Sequence, residues 1–304
     1  MLEEHPISGA LHALQGILER EKSRGQTHVA LQSESESILE ALPVRLMERA
    51  QKLKAVDCPV PPETVSSSKG EPDALAAVLA SKPPRERTEE WARNELNRIF
   101  REVKSCETCR SLGTFRETIV FATGNPLADI MFIGHAPGAE DEKERKPFVG
   151  PAGEKLTQII KAMGLSREEV YLSNIVKFRP KKGDGRFQGS SNRKPNATEM
   201  ESCLRFIKAE VEVVAPKVIV ALGPTAAEGL LERGGSISSL REQAHEFAGA
   251  PVVVSYHPSF LLRQENEPDQ ARAKASKRKV WEDMLKAMDL AGLPISEKQR
   301  GFFA

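Results

Sequence analysis

Residues 128–138 read Ala-Asp-Ile-Met-Phe-Ile-Gly-His-Ala-Pro-Gly, and the fold follows from how this stretch is read. Four apolar residues in a row, closed by glycine and a Gly/Pro turn, leave no polar face for water, so the run reads as a strand covered on both sides. Three more runs have the same character: 170–176 (Val-Tyr-Leu-Ser-Asn-Ile-Val), 217–223 (Lys-Val-Ile-Val-Ala-Leu-Gly) and 251–256 (Pro-Val-Val-Val-Ser-Tyr). Helical periodicity fills most of the intervals, over Ala152–Met163, Ala197–Val214 and Pro224–Leu231, and again after the last strand over Lys279–Leu290. Alternation of this kind predicts an α/β fold, a mostly parallel sheet between two layers of helices, with its chemistry at the carboxyl ends of the strands. Those ends carry Gly134, Asn174, Gly223 and His257.

Further out, the 304 residues divide unevenly. All 16 aromatic residues lie at or after Trp91, and the first 90 residues carry 11 basic and 15 acidic side chains. An acidic front without aromatic residues therefore precedes a mildly basic, core-building body. The front has leucines at helical spacing (Leu11, Leu14, Leu18; Leu39, Leu42, Leu46) and then linker composition from Cys58-Pro-Val-Pro-Pro to Ser81-Lys-Pro-Pro. Short helices on a partly disordered tether are expected for 1–90, with a partner-docking helix as the other reading. A globular domain is expected over 91–290 and a tail over 291–304. The net charge of +1 excludes a polybasic nucleic-acid coat, and 4 cysteines exclude a disulfide scaffold. No apolar run reaches the ~20 residues of a membrane span, and the acidic, amphipathic start does not resemble a secretory signal. The expectation is a soluble cytoplasmic protein.

Several residues at the strand ends suit ligand chemistry. The turn Gly134-His-Ala136-Pro-Gly brings backbone amides close to a ligand, yet it is neither a Walker A loop nor a dinucleotide fingerprint. Phe148, in Pro-Phe-Val-Gly, offers a stacking face for a planar group. The Asn174 amide presents a donor beside an acceptor, which matches the O4/N3–H edge of uracil. His257, before Pro-Ser, can donate to a departing anion or a phosphate. Taken singly, each also reads as a turn former or packed loop residue, and the acidic run Glu140-Asp141-Glu142 as a solvated loop.

Together and in this order, the motifs resemble the uracil-DNA glycosylase superfamily, and most nearly its family 4, the iron–sulfur type of bacteria and archaea. The resemblance rests on Gly124-Asn-Pro, Gly134-x-Ala-Pro-Gly, Lys146-Pro-Phe-Val-Gly-Pro-Ala-Gly, Tyr171-Leu-Ser-Asn174, Asn192-Arg-Lys-Pro, Ala221-Leu-Gly-Pro and His257-Pro-Ser-Phe-Leu-Leu-Arg, and it runs from about Trp91 to Leu290. It implies a three-layer α/β/α sandwich that excises uracil from single- or double-stranded DNA, acting as a monomer. A hypoxanthine or xanthine excision enzyme and a non-catalytic, trapping binder of uracil-containing DNA are the alternatives. The implied roles are stacking on the flipped base for Phe148 and reading of its edge for Asn174, with Gly134 and Ala136 lining the base site. His257 would stabilise charge on the leaving base, Asp141 would be the active-site carboxylate, and Leu261, Leu262 and Arg263 would press on the groove and phosphates.

Three departures accompany the resemblance. His135 stands where the family usually has Glu, within the expected catalytic set. The implied [4Fe–4S] ligands are present at Cys106, Cys109 and Cys203, but the remaining position is Phe178. Cys58, folding back, is the candidate fourth ligand; a non-cysteine ligand, a zinc ion or a lost cluster are the other readings. Finally, residues 179–194 form a longer connection than the family's, with six basic side chains and one acid, read either as a phosphate contact or as a solvated loop. A related branch of the superfamily bonds covalently to the sugar through a His in an insertion near this place. No His occurs in 179–194, so trapping by this loop is not expected.

Overall fold

The computed structural model describes residues 87–113, 118–183 and 188–303. The expectations for the front of the chain, including Cys58, lie outside the described residues.

Helix α1 (Glu89–Ser105) is capped by the Thr88 side chain and buries Ala92, Leu96, Ile99 and Val103, one stripe at spacings of three and four. Helix α2 (Glu107–Leu112) follows after Cys106. Then come β1 (Ala122–Gly124), β2 (Ile130–Gly134), α3 (Ala139–Glu144), α4 (Pro151–Ala162), β3 (Tyr171–Asn174), α5 (Ala197–Val214), β4 (Val218–Leu222) and α6 (Pro224–Leu231). The chain continues through α7 (Ile237–Arg241), β5 (His245–Phe247), β6 (Ala250–Ser255), α8 (Pro258–Glu265), α9 (Gln270–Leu290) and α10 (Glu297–Arg300).

The sheet order is β1-β3-β2-β4-β6-β5. Its four inner strands are parallel, and the three-residue edge strands β1 and β5 run antiparallel to their neighbours. Two cores lie on opposite faces, set by the strand period of two. Met131, Ile133, Ile219, Ala221, Val252 and Val254 face one core, shared with α1, α5 and α6. Ile130, Phe132, Val218, Val220 and Val253 face the other, shared with α4 and α9. This is the expected three-layer sandwich. The chain leaves β2 toward β3 on one side and later takes up β4 on the other, so a crevice opens at the carboxyl end of β2.

Three elements differ from the sequence reading. The acidic run 140–142 is the first turn of α3 rather than a loop, because carboxylates suit a helix start. The residues after His257 are helical, with Pro258 in the first turn, where its missing N–H costs nothing. Helix α9 begins nine residues before the expected Lys279, since its first turns are polar and carry no apolar period. After α9 the chain returns to the body: the Trp281 indole donates to the Gln299 carbonyl at 2.7 Å, and Phe302 packs on Trp281 with ring centres 5.2 Å apart. No helix among the described residues is long and apolar enough to cross a membrane.

Candidate active site

At the carboxyl ends of β2 and β6 lies a cavity of about 360 Å³, bordered by His135, Asp141, Phe148, Asn192, His257 and Leu262. Behind the Phe148 ring, the close approach of two side chains depends on a missing third. Gly134 pairs in register with Asn174, and a Cβ on it would stand 2.4 Å from Asn174 Oδ1 and 2.7 Å from Phe148 Cζ. Glycine at 134 therefore lets the amide and the ring meet across the strand end.

Asn174 is 1 % exposed, and its Nδ2 has no hydrogen-bond partner. A buried donor left without a partner costs about 1–3 kcal/mol, so such an orphan points to a missing acceptor. Phe148 is 5 % exposed and holds φ at +57°, the left-handed region that non-glycine residues rarely enter. Its neighbours hold it there. Val149 N donates to Asp141 Oδ1 at 2.9 Å, and Arg167 donates to the Pro147 carbonyl at 3.1 Å.

Asp141 thus does work that the sequence did not reveal. Its Oδ2 accepts from Gly138 N at 3.0 Å, capping α3, while Oδ1 fixes the Phe148 loop. The carboxylate is no mobile base, although each oxygen keeps acceptor capacity toward the cavity. Asp141→Ala should cost roughly 2–3 kcal/mol of stability through two lost charge-assisted bonds and release the strained loop. A lower denaturant midpoint together with impaired uracil excision checks this; an unchanged midpoint contradicts the anchoring role.

His257 caps α8. Its Nδ1 accepts from the backbone N–H of Ser259 at 3.2 Å, so the ring's proton sits on Nε2. Burial, the neighbouring His135 and Arg263 together push its pKa down to about 3. His135 meets it edge-on, ring centres 5.1 Å apart, and burial with nearby Lys194 pushes His135 down to about 4. Both imidazoles are neutral at pH 7. The Phe148 ring centre lies 6.4 Å from that of His257.

The remaining sequence-derived candidates divide. Ala136 borders the cavity. Arg263 is exposed on α8. Leu261 is only 3 % exposed, which removes it as a groove-pressing side chain; its neighbour Leu262 reaches the cavity. The basic connection is more structural than expected. Arg179 is buried and donates to Asn192 Oδ1 at 2.9 Å, to Glu142 at 3.1 Å and to the Gly189 and Ser191 carbonyls. Arg193 donates to the Lys181 carbonyl and to both Glu199 oxygens. Lys181 and Lys182 donate to the Ser111 carbonyl at 2.6 Å and the Ser191 hydroxyl at 3.3 Å, so four of the six cations have protein acceptors, and Arg186 lies outside the described residues. Arg179 also orients Asn192: with Oδ1 taken, its Nδ2 comes 3.1 Å from where a Gly138 Cβ would be. Asn192 is a cavity residue that sequence reasoning quoted but gave no role. The Gly-Asp-Gly-Arg-Phe-Gln-Gly composition around it signalled only a loop.

On the opposite side of β3, Lys177 and Glu210 form a fully buried ion pair, joined by Ser173 and Tyr171. Beyond it lie the cysteines. Cys109 Sγ and Cys203 Sγ are 3.5 Å apart, and Cys106 Sγ accepts from Arg205 at 3.7 Å. A hydrogen bond from Cys109 brings Cys203 down to about 7 against the effect of burial, with help from the Lys177 backbone N–H, the Ser202 hydroxyl and the Lys177 charge. The same pairing and burial raise Cys109. Among the described residues no three His, Cys, Asp or Glu side chains gather round one point, as a single zinc ion would require. Cys106 and Cys203 both act on the Cys109 thiol, so the three thiols are neighbours. Phe178, where the resemblance implies the remaining ligand, is 1 % exposed.

Comparisons with known proteins agree with this geometry. A sequence model of the Uracil DNA glycosylase superfamily matches residues 121–285. The type-4 uracil-DNA glycosylase of Thermotoga maritima is 37 % identical over 200 residues, covering 65 % of this chain and 95 % of the relative. Type-4 enzymes of Sulfurisphaera tokodaii and Archaeoglobus fulgidus are 35 % and 34 % identical, each over 57 % of this chain and over 78 % and 89 % of their own lengths. The family match spans more than half of the chain and includes the whole cavity: this protein belongs to the uracil-DNA glycosylase superfamily.

Proposed function

We propose that the protein is a DNA-repair glycosylase that hydrolyses the N-glycosidic bond of uracil in DNA and leaves an abasic site. The observation that carries this reading is the buried Asn174 amide with its unpartnered Nδ2, at the strand end where Gly134 separates it from the Phe148 ring. Uracil offers O4 to Nδ2–H and N3–H to Oδ1. Cytosine offers an amino group and a bare nitrogen, so it is mismatched at both.

The target base must leave the stack to reach this amide. Phe148 stacks on it, and α8 faces the DNA with Leu262 and Arg263. As the C1′–N1 bond breaks, charge builds on the base O2, where the His257 Nε2–H donates without carrying a charge of its own. Such a preorganised donor contributes about 3–4 kcal/mol in comparable sites. The fixed Asp141 carboxylate faces the cation-like sugar and orients the water whose oxygen bonds to C1′. The water's proton passes to the carboxylate or to solvent. His135 adds no charge, in contrast to the carboxylate usual at its position, and burial keeps both rings neutral. Cys106, Cys109 and Cys203 would hold an iron–sulfur group, whose contribution is to tie α2 and α5 together. The protein acts as a monomer in the cytoplasm.

The test is an oligonucleotide with a single uracil, single- or double-stranded, beside hypoxanthine and undamaged controls. Alkaline strand scission at uracil alone, with no protein–DNA adduct on a denaturing gel, is the expected result. Scission at hypoxanthine instead, or an adduct without scission, overturns the reading. The relatives' names support uracil and lend nothing to the alternatives.

A further inference from the structure

The end of β6 carries an arrangement that the excision chemistry leaves unexplained: a stacked pair of aromatic rings beside His257, covered by an arginine that α9 holds in place. Building on the glycosylase reading above, we propose that Arg241 is a positioning residue for excision. By joining Asp283 of α9 to the ring of Tyr256, it fixes the turn from β6 into α8 and with it the His257 imidazole.

Tyr256 precedes His257 and stacks on Phe260 of α8, ring centres 4.8 Å apart and planes 17° from parallel. The Arg241 guanidinium carbon lies 5.3 Å from the centre of the Tyr256 ring, inside the ~6 Å reach of a cation–π contact. The guanidinium is itself tied down. Its Nε donates to both oxygens of Asp283, at 3.0 and 2.8 Å, and its Nη2 to the Lys279 carbonyl at 2.6 Å. Lys286 closes the link by donating to the Arg241 carbonyl at 3.3 Å. Asp283 is buried on α9 and accepts a further bond of 2.7 Å from the hydroxyl of Ser255, the residue just before Tyr256.

The two residues ahead of His257 are therefore both tied to α9, one through a hydroxyl and one through a ring. On its other flank, Gly223 N donates to the Ser255 carbonyl at 2.7 Å, and a Cβ on Gly223 would stand 2.9 Å from His257 Cβ. A donor to developing charge must sit within about 0.5 Å of its place, which a locked supporting layer provides. Arg241, Asp283, Tyr256 and Phe260 do not border the cavity, so they reach the reaction through His257 and α8. Arginine suits all these partners at once, because its planar group can lie on a ring while donating in its own plane to a carboxylate and a carbonyl. Lysine keeps the charge and lacks the flat face.

The experiment measures single-turnover uracil excision and DNA affinity in the full chain for Arg241→Lys, Tyr256→Leu and Tyr256→Phe, each alone and combined with His257→Ala. Arg241→Lys and Tyr256→Leu should slow excision by about 10–100-fold, the scale of a catalytic group displaced by about 1 Å, while affinity stays within about twofold. Tyr256→Phe keeps the stacked ring and should keep the wild-type rate. With His257 already replaced, the same substitutions should slow the reaction by less than about twofold more, since the group they place is gone. A full additional loss on that background overturns the proposal, as does a wild-type rate in Arg241→Lys. A loss confined to affinity also overturns it and makes the ring pair a DNA contact instead. The Tyr256 variants decide the matter if Arg241→Lys does not fold. A wild type that releases no uracil refutes the glycosylase reading and the proposal with it, whereas an active wild type with an indifferent Arg241 refutes the positioning role alone.

Discussion

Asn174→Ala is expected to lower single-turnover uracil excision by about 10³–10⁴-fold while DNA affinity changes little. A site built to hydrogen-bond its substrate rejects a mismatched edge by about 10⁴–10⁵-fold, because its buried polar groups are then left unpaired. Here the two edge contacts come from one amide, so its removal deletes most of the readout. Affinity rests mainly on phosphate contacts elsewhere and should survive. The substitution also removes an orphan donor, so the folded state should lose nothing or gain about 1 kcal/mol. Single-turnover kinetics, gel-shift titration and a denaturant melt on the same preparation separate these effects. A large fall in stability would instead show that Nδ2 has a partner in the folded chain.

The second large effect is at His257. Replacement by alanine should slow excision by about 10²–10³-fold, the usual cost of one preorganised donor to a developing anion. The pH dependence is more diagnostic. Because the ring is already neutral, the rate should be flat from about pH 8 down to pH 5. A charged imidazolium acid would give a rate that falls as pH rises through about 6.5. The same protonation equilibria act on stability. The unfolded chain takes up protons at His135 and His257 near pH 6.5, whereas the folded chain does so only near 4 and 3. Their neutral burial is therefore fully accommodated above pH 6.5, and stability falls as pH drops below it, by about 1.4 kcal/mol per pH unit for each ring. Lys194 and Arg263 oppose protonation, Asp141 and Glu140 face the same cavity, and the joint substitution of both histidines should flatten the profile.

The four inner strands were legible because each is buried on both faces and reads as an unbroken apolar run. Helices α5 and α6 were legible to their ends, since Asn196 with Glu199 and Gly223-Pro224 mark their starts. Helix α1 was missed although Ala92, Leu96, Ile99 and Val103 carry its period; the surrounding charges diluted the pattern. The edge strands β1 and β5 are three residues long and exist only through pairing with a neighbour. At the site, residue types singled out the ring, the amide and the imidazole as candidates, but not how they are held. No local pattern announces that Phe148 adopts a left-handed backbone, that Asp141 ties two loops, or that Arg179 turns inward. Those facts depend on partners brought together by the fold, as does the burial of Leu261.

The most direct test of the account is to mix the full chain with a duplex carrying one uracil and measure free uracil and alkali-labile sites in the same reaction. The account predicts that the two appear in equal amounts and fall together, by about three orders of magnitude or more, in Asn174→Ala. Abasic sites without free uracil, or undiminished release by Asn174→Ala, would contradict it.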